Sequence, residues 1–393
     1  MKDYALLQKK HLVPTFASRG LILIEGDGPY LIDSSGEKYL DFMTNYGVNI
    51  FGHGHPEITR SLVQQIQRLT TLHGSFASDV RAEAARELVV RCGGGLSHVY
   101  FSNSGAESNE AALKFAVLAT GRKKFVACRG GYHGKTLGAL SATWGAKYRA
   151  AFEPLLWEFK FVDYNSPAAL EEAVDEATAG FLVEPIQGES GVRVPDPGYL
   201  KLAQEICQAR QAFLIVDEIQ TGAGRTGHFL ASQPEHISYD IVCLGKGLAG
   251  GIPVGATLVS EAVAEKIPRS SHTSTFGGNP LATAGILATL KLLDLDRLRH
   301  SADIGGYFLS GLKSMRAPLV REARGRGLML GLEVSGRRDD ILKGLQREKL
   351  LAIPAGDEVV RFLPPYIVEK EHVDLALEKI DRVVSGLSKN TQG

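Results

Sequence analysis

The chain has 393 residues, 44% hydrophobic and 22% charged, the balance of a soluble globular protein with a large core. Lysine plus arginine and aspartate plus glutamate both number 44, so net charge gives no reason to expect a nucleic acid or an anionic membrane as partner. No apolar run approaches the roughly 20 residues of a membrane span, and the start Met-Lys-Asp-Tyr-Ala-Leu-Leu lacks a signal peptide's apolar centre. Cys92, Cys128, Cys207 and Cys243 have no C-x-x-C spacing and read as buried free thiols of a cytoplasmic protein.

Residues 21–24 and 30–32 flank Gly-Asp-Gly-Pro, which predicts a hairpin, and Asp33-Ser-Ser-Gly predicts a second turn. From residue 55 helix and strand alternate. Helices are expected at Pro56–Thr70, Asp79–Arg91, Gly105–Ala119 and Tyr199–Gln208, and strands at Val99–Phe101, Phe125–Cys128, Gly180–Val183, Phe213–Val216, Ile241–Leu244 and Ala256–Val259. Such alternation implies an α/β protein with a mostly parallel sheet covered on both faces. A long helix follows at Leu281–Leu293, then strands in Gly-Leu-Met-Leu-Gly-Leu-Glu-Val and Val-Val-Arg-Phe-Leu. The expected organisation is a large domain over 51–280 and a smaller α/β domain built from 1–50 and 281–393.

Four segments at expected strand ends carry chemistry, where open α/β sheets bind ligands. Lys246 ends the run Ile-Val-Cys-Leu-Gly-Lys-Gly, a lysine on a bare turn beside an apolar interior. Desolvation there lowers an amine's basicity and makes it a nucleophile, although a loop lysine is the plainer alternative. Ser104 and Glu107 have capping-box spacing, and the small residues Ser104, Gly105 and Ala106 leave the first amides of a helix open to an anion such as phosphate. An ordinary capped helix has the same pattern. Asp217 and Glu218 follow four apolar residues, so a carboxylate reaches the top of a buried strand and needs a cation or donors. A protonated heterocyclic nitrogen serves, as does an arginine; a metal fits less well because no His or Cys neighbours the pair, and a helix cap remains open. Tyr132 and His133, framed by glycines, offer a flat face for a planar ring, while a packed core histidine and a solvated Lys135 are the plainer readings. The loop His272-Thr-Ser-Thr-Phe-Gly-Gly either donates to a phosphate or simply turns.

An amine, a buried carboxylate, a stacking ring and a phosphate cradle together match pyridoxal 5'-phosphate (PLP), with its aldehyde, ring nitrogen, aromatic ring and phosphate. A dinucleotide site would need G-x-G-x-x-G opening a helix soon after the first strand with a later acidic residue, which is not evident. No P-loop G-x-x-x-x-G-K-S/T occurs.

On these residues the sequence resembles the class III (ω-amino) transaminases of PLP fold type I, from Leu40-Asp-Phe-Met to Val360-Arg-Phe-Leu-Pro-Pro. The resemblance implies that Lys246 is the Schiff-base lysine, Asp217 the carboxylate on the ring nitrogen, and Ser104, Gly105 and Ala106 the phosphate-binding helix start. Tyr132 is then the stacking aromatic with His133 beside it, Ile219 lies under the ring, and Gln220 meets its hydroxyl. Thr275 is implied as a phosphate ligand for the neighbouring subunit, hence a homodimer with shared active sites. Glu184-Pro-Ile-Gln-Gly-Glu-Ser-Gly is similar to ornithine and acetylornithine transaminases, in which a glutamate at the Glu189 position gates an arginine at the Arg361 position. Tyr46 resembles a tyrosine that contacts the donor carboxylate. Lys135 departs from the arginine many of these enzymes carry; it stays cationic without the bidentate fork, and its surroundings are similar to putrescine transaminases.

The implied reaction moves a terminal (ω) amino group from a diamine or basic amino acid (N-acetylornithine, ornithine or putrescine type) to a 2-oxo acid such as 2-oxoglutarate. The small-molecule partners are then that amine donor and the 2-oxo acid acceptor, with no metal. A transaminase of a specialised biosynthetic pathway, a PLP-dependent aminomutase or racemase, and a non-catalytic binding protein are the rival readings.

Overall fold

The computed structural model describes residues 3–389. Met1, Lys2 and residues 390–393, the outer ends of the expected terminal segments, lie outside the described residues. A seven-stranded sheet organises the molecule, in the order Leu96–Ser102, Gly255–Ser260, Ile241–Leu244, Phe213–Asp217, Thr178–Val183, Lys124–Cys128, Glu158–Val162. Only Gly255–Ser260 runs antiparallel to its neighbours; the remaining pairs are parallel. Successive strand residues enter opposite layers, as the pleat requires. Leu214 and Val216 join one core with Tyr199, Ala203 and Cys207, whereas Ile215 joins a second with Ala112, Leu113 and Ala116. Both faces are therefore covered, which is why these strands read as unbroken apolar runs.

Two four-stranded sheets stand beside this layer. The hairpin Leu23–Asp27 and Tyr30–Asp33 continues into Lys38–Asp41, which Leu350–Leu351 extends in parallel. The other sheet contains Val320–Arg326, Met329–Val334, Val359–Phe362 and Ile353–Ala355. Both chain ends thus contribute to the smaller α/β part, as expected. The first hairpin strand lies later than its apolar run suggests, because Gly26 is part of it. A Cβ there would fall 2.5 Å from the His53 ring, so the strand packs close against that side chain. The strands Glu158–Val162 and Val320–Arg326 and the helix Leu295–Ser314 had no expectation from the sequence. Among the described residues no helix is long and apolar enough to cross a membrane.

Candidate active site

The parallel strands deliver their carboxyl ends to one edge, and the chemistry-bearing loops leave from there. Ser104 caps the helix Gly105–Thr120, its Oγ accepting from Glu107 N at 3.2 Å. The Glu107 carboxylate reaches back one residue further than a capping box requires, to Asn103 N at 2.9 Å. At Gly105 the helix start is packed too tightly for any side chain. A Cβ on Gly105 would meet Ile219 Cγ2 at 2.7 Å, and one on Gly245 would lie 3.2 Å from Gly105 Cα. The helix start, Ile219 and the Lys246 turn are therefore in direct contact.

Asp217 is 3% exposed and ends its strand inside a polar cluster. Its Oδ2 accepts from Asn109 Nδ2 at 2.8 Å and meets His133 Nδ1 at 2.7 Å, and its Oδ1 accepts from Ile219 N at 3.0 Å. A carboxylate only accepts, so the hydrogen of His133 in this pair is on Nδ1. Asn109 also donates to His133 O at 2.7 Å, locking the cluster. Asn109 and Glu184 were not singled out by the sequence. Asn109 stands four residues beyond Gly105 on the same helix face. Glu184 ends an apolar strand just as Asp217 does, a signal equally available. Its carboxylate accepts from Tyr132 N at 3.1 Å and Gly188 N at 3.2 Å, joining two loops, and burial raises its pKa to about 7.

Lys246 follows the buried strand Ile241–Leu244 and has φ 45°, a left-handed conformation that side chains adopt at a cost. It keeps some exposed surface, yet protein surrounds its amine, and that burial lowers its pKa. Asp217, Glu189 and Glu184 oppose the shift and Arg361 reinforces it. A lowered pKa increases the neutral, nucleophilic fraction.

Arg361, fully buried, donates to Glu189 Oε1 at 2.6 Å and to Gln220 Oε1 at 2.9 Å, and its guanidinium carbon lies 5.6 Å from the Tyr46 ring centre. Tyr46 belongs to a left-handed turn, Thr44–Gly47, and each non-glycine residue there costs about 1–2 kcal/mol. Bordering this group at Glu189, a cleft of about 580 Å³ is lined by Tyr132, Trp144, Tyr148, Glu189 and Arg193. Half-buried Tyr132 meets Tyr148 edge to face at 5.4 Å, and its hydroxyl pKa is pushed up to about 12 by burial and then by Glu189. A larger groove of about 710 Å³ along residues 309–325 holds none of these groups, so volume alone does not mark the site.

Two residues stand apart. Lys135 is exposed and forms no hydrogen bond or ion pair among the described residues. Thr275 is also exposed, in a loop whose Ser274 Oγ accepts from Asn103 Nδ2 at 3.4 Å. Among the described residues no group of three His, Cys, Asp or Glu could hold a metal ion.

The cluster fits the cofactor inferred from the sequence. Asn109 Oδ1 and His133 Nε2 are buried without partners, and Asp217 keeps acceptor capacity beyond its present bonds. Uncapped amides at Gly105 and Ala106 suit a phosphate. Lys246 would hold the aldehyde carbon and Asp217 the ring nitrogen.

Residues 16–384 match the family model described as aminotransferase class-III. The chain is 42% identical over 377 residues to acetylornithine aminotransferase of Methanopyrus kandleri, covering 95% of this chain and 97% of that one. It is 41% identical over 372 residues to the [LysW]-aminoadipate semialdehyde/glutamate semialdehyde transaminase of Sulfurisphaera tokodaii, covering 93% and 95%. The ornithine aminotransferase of Toxoplasma gondii, a structure with PLP at partial occupancy, superposes with a TM-score of 0.94 at 33% identity, over 100% of this chain and 96% of that one. Shared over nearly its whole length, these likenesses make the chain a PLP-dependent enzyme of fold type I, a member of the class III aminotransferase family.

Proposed function

We propose that this aminotransferase takes the terminal amino group of a diamine or basic amino acid, of the N-acetylornithine, ornithine or putrescine type, and passes it to a 2-oxo acid, with 2-oxoglutarate the expected acceptor. One observation carries the reading. Arg361, a buried cation beside the reactive lysine, is neutralised by a glutamate that is only partly buried, 25% exposed in its side chain. Glu189 can therefore leave Arg361 free for an acceptor's α-carboxylate and cover it when a donor presents its amine. The names of the relatives, acetylornithine aminotransferase and ornithine aminotransferase, support the same substrate class.

PLP, when bound, supplies an aldehyde for the incoming amine and a ring that accepts electrons from the reacting carbon. The protein supplies the rest. Asp217 holds the proton on the ring nitrogen, and His133 and Asn109 hold Asp217. Once free, the Lys246 amine moves the proton from the donor carbon. Ser104, Gly105 and Ala106 would anchor the phosphate, Tyr132 would cover the ring, Ile219 would support it and Gln220 would face its hydroxyl. Tyr46 and Lys135 complete the donor side.

We also propose a cytoplasmic homodimer in which Thr275 reaches the neighbouring phosphate. Its exposure beside Phe276, 59% exposed, supports this, as do four buried free thiols for the compartment. The division at residues 50 and 280 is proposed on the same footing. Half-reaction rates of the holoenzyme with N-acetylornithine, ornithine, putrescine and lysine, then with 2-oxoglutarate, test the function. Glutamate and an aldehyde are the expected products. Repeated turnover of the amine, beyond one equivalent per active site, with no 2-oxo acid present would overturn it in favour of an aminomutase.

A further inference from the structure

The turn Thr44–Gly47 is the most strained segment beside the site. Its four residues have φ of 42°, 51°, 60° and 89°, and the first is β-branched. A conformation this costly persists only where its surroundings over-determine it. Those surroundings centre on Asp41, 1% exposed. Asp41 Oδ1 accepts from Met43 N at 3.1 Å and Thr44 N at 2.9 Å, and Oδ2 meets His53 Nε2 at 2.9 Å. Since the carboxylate accepts, His53 carries hydrogen on Nε2 in this pair. His53 is fixed in turn, with its backbone paired both ways to Gly28 and its ring against Gly26. Thr44 Oγ1 donates to Leu363 O at 2.7 Å, and Leu363 N donates to Phe42 O at 2.7 Å, which ties the turn to the strand carrying Arg361.

Among the described residues the Asp41 carboxylate thus bonds the turn and the histidine that holds Asp41 in place, and the turn sets the Tyr46 ring over the Arg361 guanidinium. We propose that Asp41 and His53 are positioning residues for donor recognition. By holding the left-handed turn they set Tyr46 against Arg361, and so set the preference for an amine that carries a carboxylate over one that does not. The inference rests on the reading above in which Tyr46 contacts the donor.

The test uses holoenzyme carrying Asp41→Ala, Asp41→Asn, His53→Gln or Tyr46→Ala. Two quantities are read: amide hydrogen exchange over residues 43–49, and the ratio of kcat/KM for ornithine to that for putrescine. Asp41→Ala is expected to speed exchange and to lower the ratio about tenfold, chiefly through the KM of ornithine, the size of one lost hydrogen-bonding network contact. Asp41→Asn keeps one acceptor oxygen for the two amides and should recover most of the loss. His53→Gln, which keeps a donor, should lie between. Unchanged exchange overturns the proposal, and so does a loss shared equally by both donors. If Asp41→Ala does not fold, the same criteria apply to Asp41→Asn and His53→Gln. Faster exchange with an unchanged ratio, while Tyr46→Ala does change it, defeats the inference and leaves the donor reading standing. An unchanged ratio in Tyr46→Ala defeats the donor reading and this inference with it.

Discussion

The cofactor end and the donor end of the site are assembled in different ways. At the cofactor end Asp217, Lys246 and the Ser104 helix start each follow a strand of one sheet, and Asp217 is bound by three neighbours within 3.0 Å. At the donor end Tyr46, Glu189 and Arg361 come from three distant segments, and their side chains meet through one ion pair and one ring contact. The first arrangement is rigid and buried, suited to one ligand that never leaves. The second has a buried cation facing a partly exposed carboxylate, the arrangement that the proposed exchange between two substrates requires. The difference should appear as large, substrate-independent losses from changes at the first end and as small, substrate-dependent ones at the second.

The largest expected effect is that of Lys246→Ala. Without its amine, kcat/KM for every donor should fall about 10³-fold or more, the scale of a lost positioned base. Single-turnover rates with several donors check this; a loss confined to one donor would erase the distinction between the two ends. Asp217→Asn comes next. It keeps the shape but removes the charge on which His133 and Asn109 converge and which, in the proposed reading, the ring nitrogen would share. A charge-assisted hydrogen bond contributes about 1.5–3 kcal/mol, so a loss of about 10- to 100-fold, similar for all donors, is expected in the same assay.

These two residues were legible in the sequence because each is a charged side chain at the end of an apolar run, a local pattern that survives without knowledge of the fold. The strands at Phe213–Asp217 and Ile241–Leu244 were legible for the same reason. Asn109 was not, because its role depends on His133 O and Asp217, 24 and 108 residues away. The left-handed turn at Thr44–Gly47 was also beyond local reading. Asn45 tolerates it readily, but Thr44 and Tyr46 do not, and Asp41, His53 and Leu363 impose it from outside. The strand Val320–Arg326 was missed because its polar sequence buries little beyond Ala323.

Glu184 lies at the seam between the two ends, joining the Tyr132 loop to the loop that carries Glu189. Burial holds its pKa near about 7 against an ordinary 4.5. Between these values the folded protein binds a proton that the unfolded chain has released, so stability falls as pH rises through that window and the cost is complete above it. Glu184→Gln cannot titrate. Its melting temperature relative to the parent should therefore rise from pH 4.5 to pH 7.5, measured by calorimetry on the holoenzyme. A difference that stays constant with pH would mean that Glu184 is ionised throughout and that the seam is held by charge.

The smallest effect is expected from Lys135→Arg, and it tests the donor end most directly. The sequence singles out Lys135 as the departure that bears on substrate choice, whereas in a single chain it is exposed and unpaired among the described residues. An exposed ion pair contributes about 0–1 kcal/mol, so restoring arginine's bidentate fork should change kcat/KM for ornithine or N-acetylornithine by no more than about fivefold. Putrescine, with no carboxylate to hold, should respond still less. A tenfold gain for a carboxylate-bearing donor alone would require the side chain at 135 to meet the donor in a dry pocket. Because the chain does not enclose Lys135 itself, the enclosing surface would then be the second subunit. The donor end would have to be redrawn as a site completed between two copies, while the cofactor end, whose groups all meet within one chain apart from the proposed Thr275 contact, would stand unchanged.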